Sequence, residues 1–282
     1  MDYQSLYQEG RLLLEQAEIE EAAWDARLLL EFVCHTNRNT LLAHGDRAVL
    51  AEEEVLYREL LARRAEHVPL QQLTGRQEFM GLTFRVNDRV LIPRQDTEIL
   101  VEEVMRELHD GMSILDMCTG SGCILISLLY YSNDCRGVGV DLSKEALALA
   151  GENAERLIPQ ETVCFLEGNL FEKAEGKYDV IVSNPPYIKT AEINTLMPEV
   201  RDYEPRMALD GGEDGLYFYR RIIRESRPYL NRGGRLYFEI GCEQAAEVVG
   251  LMAQAGFADI QVAQDFSGLD RVVYGTFLEE TR

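Results

Sequence analysis

The chain has 282 residues, 46% of them hydrophobic and 27% charged, a globular composition that excludes a disordered or low-complexity polymer. Its 28 basic and 49 acidic side chains leave a formal charge of −21, which repels a phosphate backbone at long range and favours a basic protein partner over nucleic acid. The first residues show no basic stretch leading into an apolar run, and the most apolar segment, Ile124 to Tyr131, is too short to span a bilayer; neither a secretion signal nor a membrane partner is expected. Six cysteines form no CxxC pair and no group with the four histidines, so free thiols in a reducing cytoplasm, and no metal, are expected.

Residues 1–75 read as helix only, a small bundle. Leu6, Leu13 and Leu14, then Trp24, Leu28 and Leu29, then Val55, Leu56, Leu60 and Leu61 fall near helical spacing. Gly10 weakens the first helix modestly, Thr40 is placed to cap a short one, and Val68-Pro69 ends the third long one. From Gln77 the period changes. Phe79, Leu82, Phe84, Val86, Val90 and Ile92, among turn residues Gly81 and Asn87-Asp88, predict a β-hairpin linker over 76–93. A domain over 94–282 follows. Asp96 or Thr97 is placed to cap a helix to about His109.

Strands and helices then alternate: Ser113–Met117, a helix over 121–131, Gly137–Asp141, a helix from Ser143 to about Arg156, Val163–Glu167 and Tyr178–Ser183. A helix near 215–230, a strand over Gly234–Ile240, a helix over 243–255, and two strands, Phe257–Ala263 and Arg271–Leu278, complete the pattern. Such alternation predicts an α/β fold, a mostly parallel doubly wound sheet. The last two strands are too close for a crossover helix and predict an antiparallel hairpin, a feature of methyltransferase sheets rather than dinucleotide-binding ones.

The turn Asp116-Met117-Cys118-Thr119-Gly120-Ser121-Gly122 follows a strand and opens a helix. Its glycines permit a tight turn and close approach to a ligand, and the helix start offers unpaired N–H groups to a carboxylate such as that of a methionine moiety. Asp141, 21 positions beyond Gly120, ends the next strand, where an acid accepts from both ribose hydroxyls. Asn169, with Leu170 beside it, follows the third strand at the place for an adenine edge. An NAD-binding protein shares the glycine turn and the acid, so these residues leave the cofactor open.

Asn184-Pro185-Pro186-Tyr187 ends the strand Tyr178–Ser183. Prolines donate no N–H and cannot continue a strand, so the loop presents carbonyl oxygens. The nitrogen of a planar amide is a poor nucleophile because its lone pair is delocalised. Two fixed acceptors, Asn184 Oδ1 and the Pro185 carbonyl, can each take one of its hydrogens, orient the NH₂ and stabilise developing positive charge. Tyr187 adds an aromatic face. The same clamp suits the exocyclic amine of adenine, which keeps nucleic acid as an alternative substrate, though a base would have to be flipped and its phosphates gripped. A NAD-dependent oxidoreductase has no use for the loop, and a non-catalytic cofactor-binding partner of translation has no need of it.

Four segments resemble the PrmC or HemK family of protein-glutamine methyltransferases. They are Pro69–Gly75 with Phe79 and Gly81-Leu82; Val90–Glu98; Ile181–Ile188; and Glu204-Pro205 through Ala208–Leu216. The resemblance implies an N-terminal helical bundle that contacts a release factor, a hairpin linker and a seven-stranded class I methyltransferase domain. It implies methyl transfer from S-adenosylmethionine to the glutamine side-chain amide in the Gly-Gly-Gln motif of peptide chain release factors. It also implies cofactor contacts at Asp116, Cys118–Gly122, Asp141, Asn169 or Leu170, and Asn184, and substrate contacts at Asn184, Pro185, Pro186 and Tyr187. Gln95 stands where the family has proline, and Cys118 and Cys123 stand where smaller residues are commoner. Arg94 is placed either to orient the hairpin over the site or to form a structural ion pair, Glu204 and Asp214 to order the loop after Asn184–Tyr187, and none of the three is assigned a catalytic role.

Overall fold

The computed structural model describes residues 1–159 and 162–278, which form two compact units. One comprises Met1–Arg76 with Met197–Tyr203, the other Gln77–Leu196 with Glu204–Arg282. Among the described residues no helix is long and apolar enough to cross a membrane.

The first unit contains α1 (Tyr3–Gln16), α2 (Ala22–Val33), α3 (Arg38–Ala43), α4 (Ala51–Ala65) and α5 (Leu70–Thr74). Its core joins Leu6, Leu14, Leu29, Leu30, Tyr57, Leu60 and Leu61. Trp24, Val55 and Leu56, which share the helical spacing, are exposed instead. Three further details depart from the sequence reading. Asn37, not Thr40, caps α3 by accepting the Thr40 N–H at 3.0 Å. The helix α4 stops at Ala65, before Val68-Pro69, with His67 at φ +66°. Gly10 is a packing requirement: a Cβ there would lie 2.2 Å from the hydroxyl of Tyr57, which is fully buried and donates to the Ala26 carbonyl at 3.0 Å. Arg64 pairs with Asp25 at 2.7 Å and with Glu199 at 3.0 Å, bringing the short helix Pro198–Arg201 into this unit.

The second unit opens with a hairpin of β1 (Arg76–Phe79) and β2 (Leu82–Arg85), turned by Met80 and Gly81, both at positive φ. Val86, Val90 and Ile92 are buried but lie beyond the strands, because pairing ends at Arg85. The helix α6 runs Asp96–Met105, so Asp96 and Thr97 stand inside its first turn and Gln95 precedes it with no side-chain cap. There follow β3 (Ser113–Met117), α7 (Cys123–Tyr131), β4 (Arg136–Asp141), α8 (Lys144–Leu157), β5 (Val163–Glu167) and β6 (Tyr178–Ser183). In chain order α9 is Pro198–Arg201 of the first unit; α10 (Tyr217–Ser226), β7 (Leu230–Glu239), α11 (Ala245–Gln254), β8 (Phe257–Gln264) and β9 (Asp270–Phe277) complete the second.

The sheet order is β5-β4-β3-β6-β7-β9-β8, parallel except for β9, which runs antiparallel to both β7 and β8. This is the seven-stranded, mostly parallel fold with an antiparallel end that the sequence predicts. The chain winds outward from β3 to β5 and then outward again from β6, so the order reverses between β3 and β6, where open sheets bind ligands beyond their strand ends. The buried Ser183 hydroxyl donates to the Met117 carbonyl at 2.7 Å and joins those two strand ends.

Replacing Gly10 with Ala should destabilise the helical unit by about 1–3 kcal/mol, because neither Tyr57 nor Leu61 has room to retreat. Urea unfolding followed by fluorescence of Trp24, the single tryptophan, tests this; an unchanged midpoint would contradict it.

Candidate functional site

A cavity of about 260 Å³ opens at the carboxyl ends of β3, β4, β5 and β6. Cys118 and Gly120 line it from the loop after β3, Asp141 from the end of β4, Asn169 and Leu170 from beyond β5, and Asn184 and Pro186 from beyond β6. Val90, Leu91, Leu142, Met207 and Phe218 supply apolar walls. None of these five was read as a site residue from the sequence; Val90 entered only through the hairpin pattern and, with Leu91, the segment Val90–Glu98, since an apolar residue after a strand looks like any other core residue.

The loop after β3 is shaped from beneath. Asp116 is fully buried and accepts the Thr119 hydroxyl at 2.6 Å, while its Oδ1 has no partner among the described residues. Burial pushes its carboxyl up to about 7, against the Thr119 bond and with the nearby Asp141 adding to the rise. Cys118, Gly120 and Gly122 all stand at positive φ, a conformation that Cys118 adopts only under strain. Burial raises the thiols of Cys118 and Cys123, so both behave as small protonated apolar groups. Ser121 is buried, and its carbonyl accepts from Asn153, which also bonds both backbone groups of Arg85 at the end of β2.

Asp141 accepts the Gly120 N–H on Oδ2 and the Ser143 N–H on Oδ1, each at 2.9 Å. A carboxylate has about four acceptor positions, so one remains on each oxygen, the pair a vicinal diol requires. Burial raises the pKa of Asp141, opposed by those backbone donors. Asn169 Oδ1 accepts from the Arg221 guanidinium at 2.8 Å, which leaves its NH₂ to donate elsewhere.

The loop Asn184–Tyr187 is latched on several sides. Ile188 N–H donates to Leu209 O at 3.0 Å and Gly211 N–H to Ile188 O at 2.8 Å. A Cβ on Gly211 would sit 2.7 Å from Tyr187 Cα and 2.8 Å from the Pro186 carbonyl. Gln244 donates to the Tyr187 carbonyl at 3.0 Å. The Tyr187 hydroxyl donates to Glu239 at 3.3 Å, so its ring lies against the core and does not line the cavity. Asn184 Nδ2 donates to the Thr97 hydroxyl at 3.3 Å. Among the described residues no protein donor reaches Asn184 Oδ1 or the Pro185 carbonyl. Arg94 pairs with Glu204, and Asp214 pairs with Arg220 and accepts the Leu216 N–H, so all three order the surrounding loops.

Residues 5–75 match the family described as PrmC N-terminal domain, and residues 94–200 the methyltransferase small domain. A release factor glutamine methyltransferase of Geobacter sulfurreducens is 46% identical over 263 residues, covering 93% of this chain and 92% of that protein. The chain belongs to the release factor glutamine methyltransferase family. A second member, from Clostridium acetobutylicum, is 39% identical over 266 residues, covering 93% of each. A methyltransferase structure from Pyrococcus furiosus shares the fold, with TM-score 0.53 and 17% identity over 70% of this chain and 90% of that one.

Within this family member, Gly211 and the loop it touches form the tightest backbone contact described above. Gly211→Ala should loosen the loop, costing about 1–3 kcal/mol and accelerating hydrogen exchange at the Ile188 and Gly211 amides. Unaltered exchange at both amides would contradict the latch.

Proposed function

We propose that this chain transfers a methyl group from S-adenosylmethionine to the side-chain amide nitrogen of the glutamine in the Gly-Gly-Gln motif of a peptide chain release factor. The observation that carries this reading is the pair of oxygens, Asn184 Oδ1 and the Pro185 carbonyl, at the end of β6, neither of which meets a donor among the described residues; Asn184 lines the cavity, and Pro185 lies between it and Pro186, which lines it too. The names of the curated relatives support the same substrate.

The residues present suit the cofactor. Asp141 keeps two acceptor positions for the ribose hydroxyls, and Leu142 with the segment Asn169-Leu170 flanks an apolar space suited to a purine. Cys118–Gly122, held by Asp116, shape the turn that opens α7, whose N-terminal N–H groups favour a carboxylate. When bound, the cofactor supplies an electrophilic methyl on a positively charged sulfur.

The chain's own part is orientation. Asn184 Oδ1 and the Pro185 carbonyl each accept one hydrogen of the glutamine NH₂, which fixes the nitrogen in one attitude and stabilises the positive charge that grows on it. Pro186 stiffens the loop. Tyr187 anchors it through Glu239 and stays protonated, because burial raises its phenol. No base is required before the nitrogen–carbon bond forms, since the proton that nitrogen then carries is acidic and leaves to water.

In this reading the helical unit docks the release factor. Trp24 and Leu42, large and exposed, border a cavity of about 640 Å³ on that unit. A charge of −21 opposes a nucleic-acid substrate, and a release-factor substrate places the reaction in the cytoplasm.

Incubated with S-adenosylmethionine, a purified release factor should gain the mass of one methyl group on its Gly-Gly-Gln peptide, while DNA gains none. Asn184→Ala should lower turnover by about 10²–10³-fold while the folded protein still binds the cofactor. Methylated DNA, or unchanged turnover in that variant, would overturn the reading.

A further inference from the structure

Arg220 and Arg221 stand side by side in the sequence, and α10 sends them to different loops. Arg220 pairs with Asp214, ahead of the helix. Arg221 turns to the cofactor side of the cavity. Its Nε and one terminal nitrogen donate to the two carboxylate oxygens of Glu225, one turn on, at 3.1 and 3.2 Å. Its guanidinium lies 5.9 Å from the centre of the Tyr217 ring, one turn back. The other terminal nitrogen donates to Asn169 Oδ1 at 2.8 Å.

The backbone around Asn169 is held as well. Leu170 is buried at φ +56°, a left-handed conformation that leucine adopts only under constraint. Phe171 stacks on Tyr229 with ring centres 4.9 Å apart, and the Asn169 N–H donates to Glu172 at 3.3 Å. With the backbone fixed, the freedom that matters at Asn169 is the flip of its amide, which exchanges oxygen and NH₂ with almost no change of shape. A guanidinium carries only donors, so one flip state bonds it, with oxygen toward Arg221 and NH₂ away. The opposite state sets NH₂ against N–H, donor against donor. Among the described residues nothing accepts from that NH₂, and Asn169 lines the cavity together with Asp141 and Leu142. The ring nitrogens of adenine accept hydrogen bonds and its 6-amino group donates them. An NH₂ on the cavity wall suits the first and opposes the second.

We propose that Arg221 is a positioning residue for the cofactor: by holding the Asn169 oxygen, it commits the Asn169 NH₂ to a ring nitrogen of the adenine. The proposal rests on the S-adenosylmethionine site described above and not on the identity of the methyl acceptor. Glu225 and Tyr217 contribute indirectly, by keeping the guanidinium where Asn169 can use it.

Calorimetric titration of the full chain with S-adenosylhomocysteine, in the absence of any release factor, tests this. Asn169→Ala should raise Kd about tenfold, and so should Asn169→Asp, which keeps an oxygen for Arg221 but has no N–H to give. Arg221→Met keeps the stem and loses the donors. It should raise Kd about threefold to tenfold, and that loss should disappear when Asn169 is already alanine. A wild-type Kd in Asn169→Asp would show the side chain accepting from the 6-amino group, or idle, and would overturn the proposal. Equal losses from Arg221→Met in both backgrounds would overturn it too, because Arg221 would then act on the site by another route. Should circular dichroism show Arg221→Met unfolded, the Asn169→Asp titration decides alone. A wild-type protein that binds S-adenosylhomocysteine but methylates no release factor would sink the proposed substrate and leave this proposal standing.

Discussion

Pro185 and Pro186 have no amide hydrogen to give to a neighbouring strand, so β6 stops at Ser183, and among the described residues nothing donates to the Pro185 carbonyl. Most of the site follows from that constraint. A loop that cannot be held by ladder hydrogen bonds has to be held by something else. Here it is held by Gln244 on the Tyr187 carbonyl, by the Ile188–Leu209 and Gly211–Ile188 bonds, and by Tyr187 on Glu239. Each of these contacts lies to one side of Asn184 and Pro185, and none consumes their free oxygens. In the proposed reaction fixed acceptors cost no reorganisation when charge develops, so on that reading rigidity at this loop matters more than any acid or base within it.

The sheet order explains how distant loops reach one cavity. Parallel strands present all their carboxyl ends at one edge, and the reversal between β3 and β6 leaves a gap there. The Gly120–Asp141 bond ties the first loop to the second, and Ser183 ties β6 to β3. Asn153 extends the same network to the end of β2, so the hairpin strand and the loop after β3 are held by one side chain. The site is therefore a set of loops braced against each other at the rim of a rigid sheet.

Local chemistry made much of this legible in the sequence. Strand positions from Ser113 to Ser183 followed from apolar runs bounded by turn residues, and the prolines marked the loop by a property no context can alter. The misreadings share a cause, which is that their explanations lie far along the chain. Gly10 looked like a mild helix defect until Tyr57 was seen above it. Trp24 and Val55 satisfied the helical period yet face outward, since period alone does not say which of two apolar stripes the bundle covers. Tyr187 promised an open aromatic face, but its hydroxyl is drawn to a carboxyl 52 positions away. Thr97 was read only as a candidate helix cap within the segment Val90–Glu98; the Asn184–Thr97 bond spans 87 positions and exists only once the chain is folded.

The most direct measurement of the central claim is a crystal structure of the protein with S-adenosylhomocysteine and a Gly-Gly-Gln peptide. The account predicts the glutamine Nε2 within about 2.7–3.2 Å of both Asn184 Oδ1 and the Pro185 carbonyl. A glutamine that turns its oxygen toward Asn184, or whose nitrogen meets neither acceptor, would contradict it.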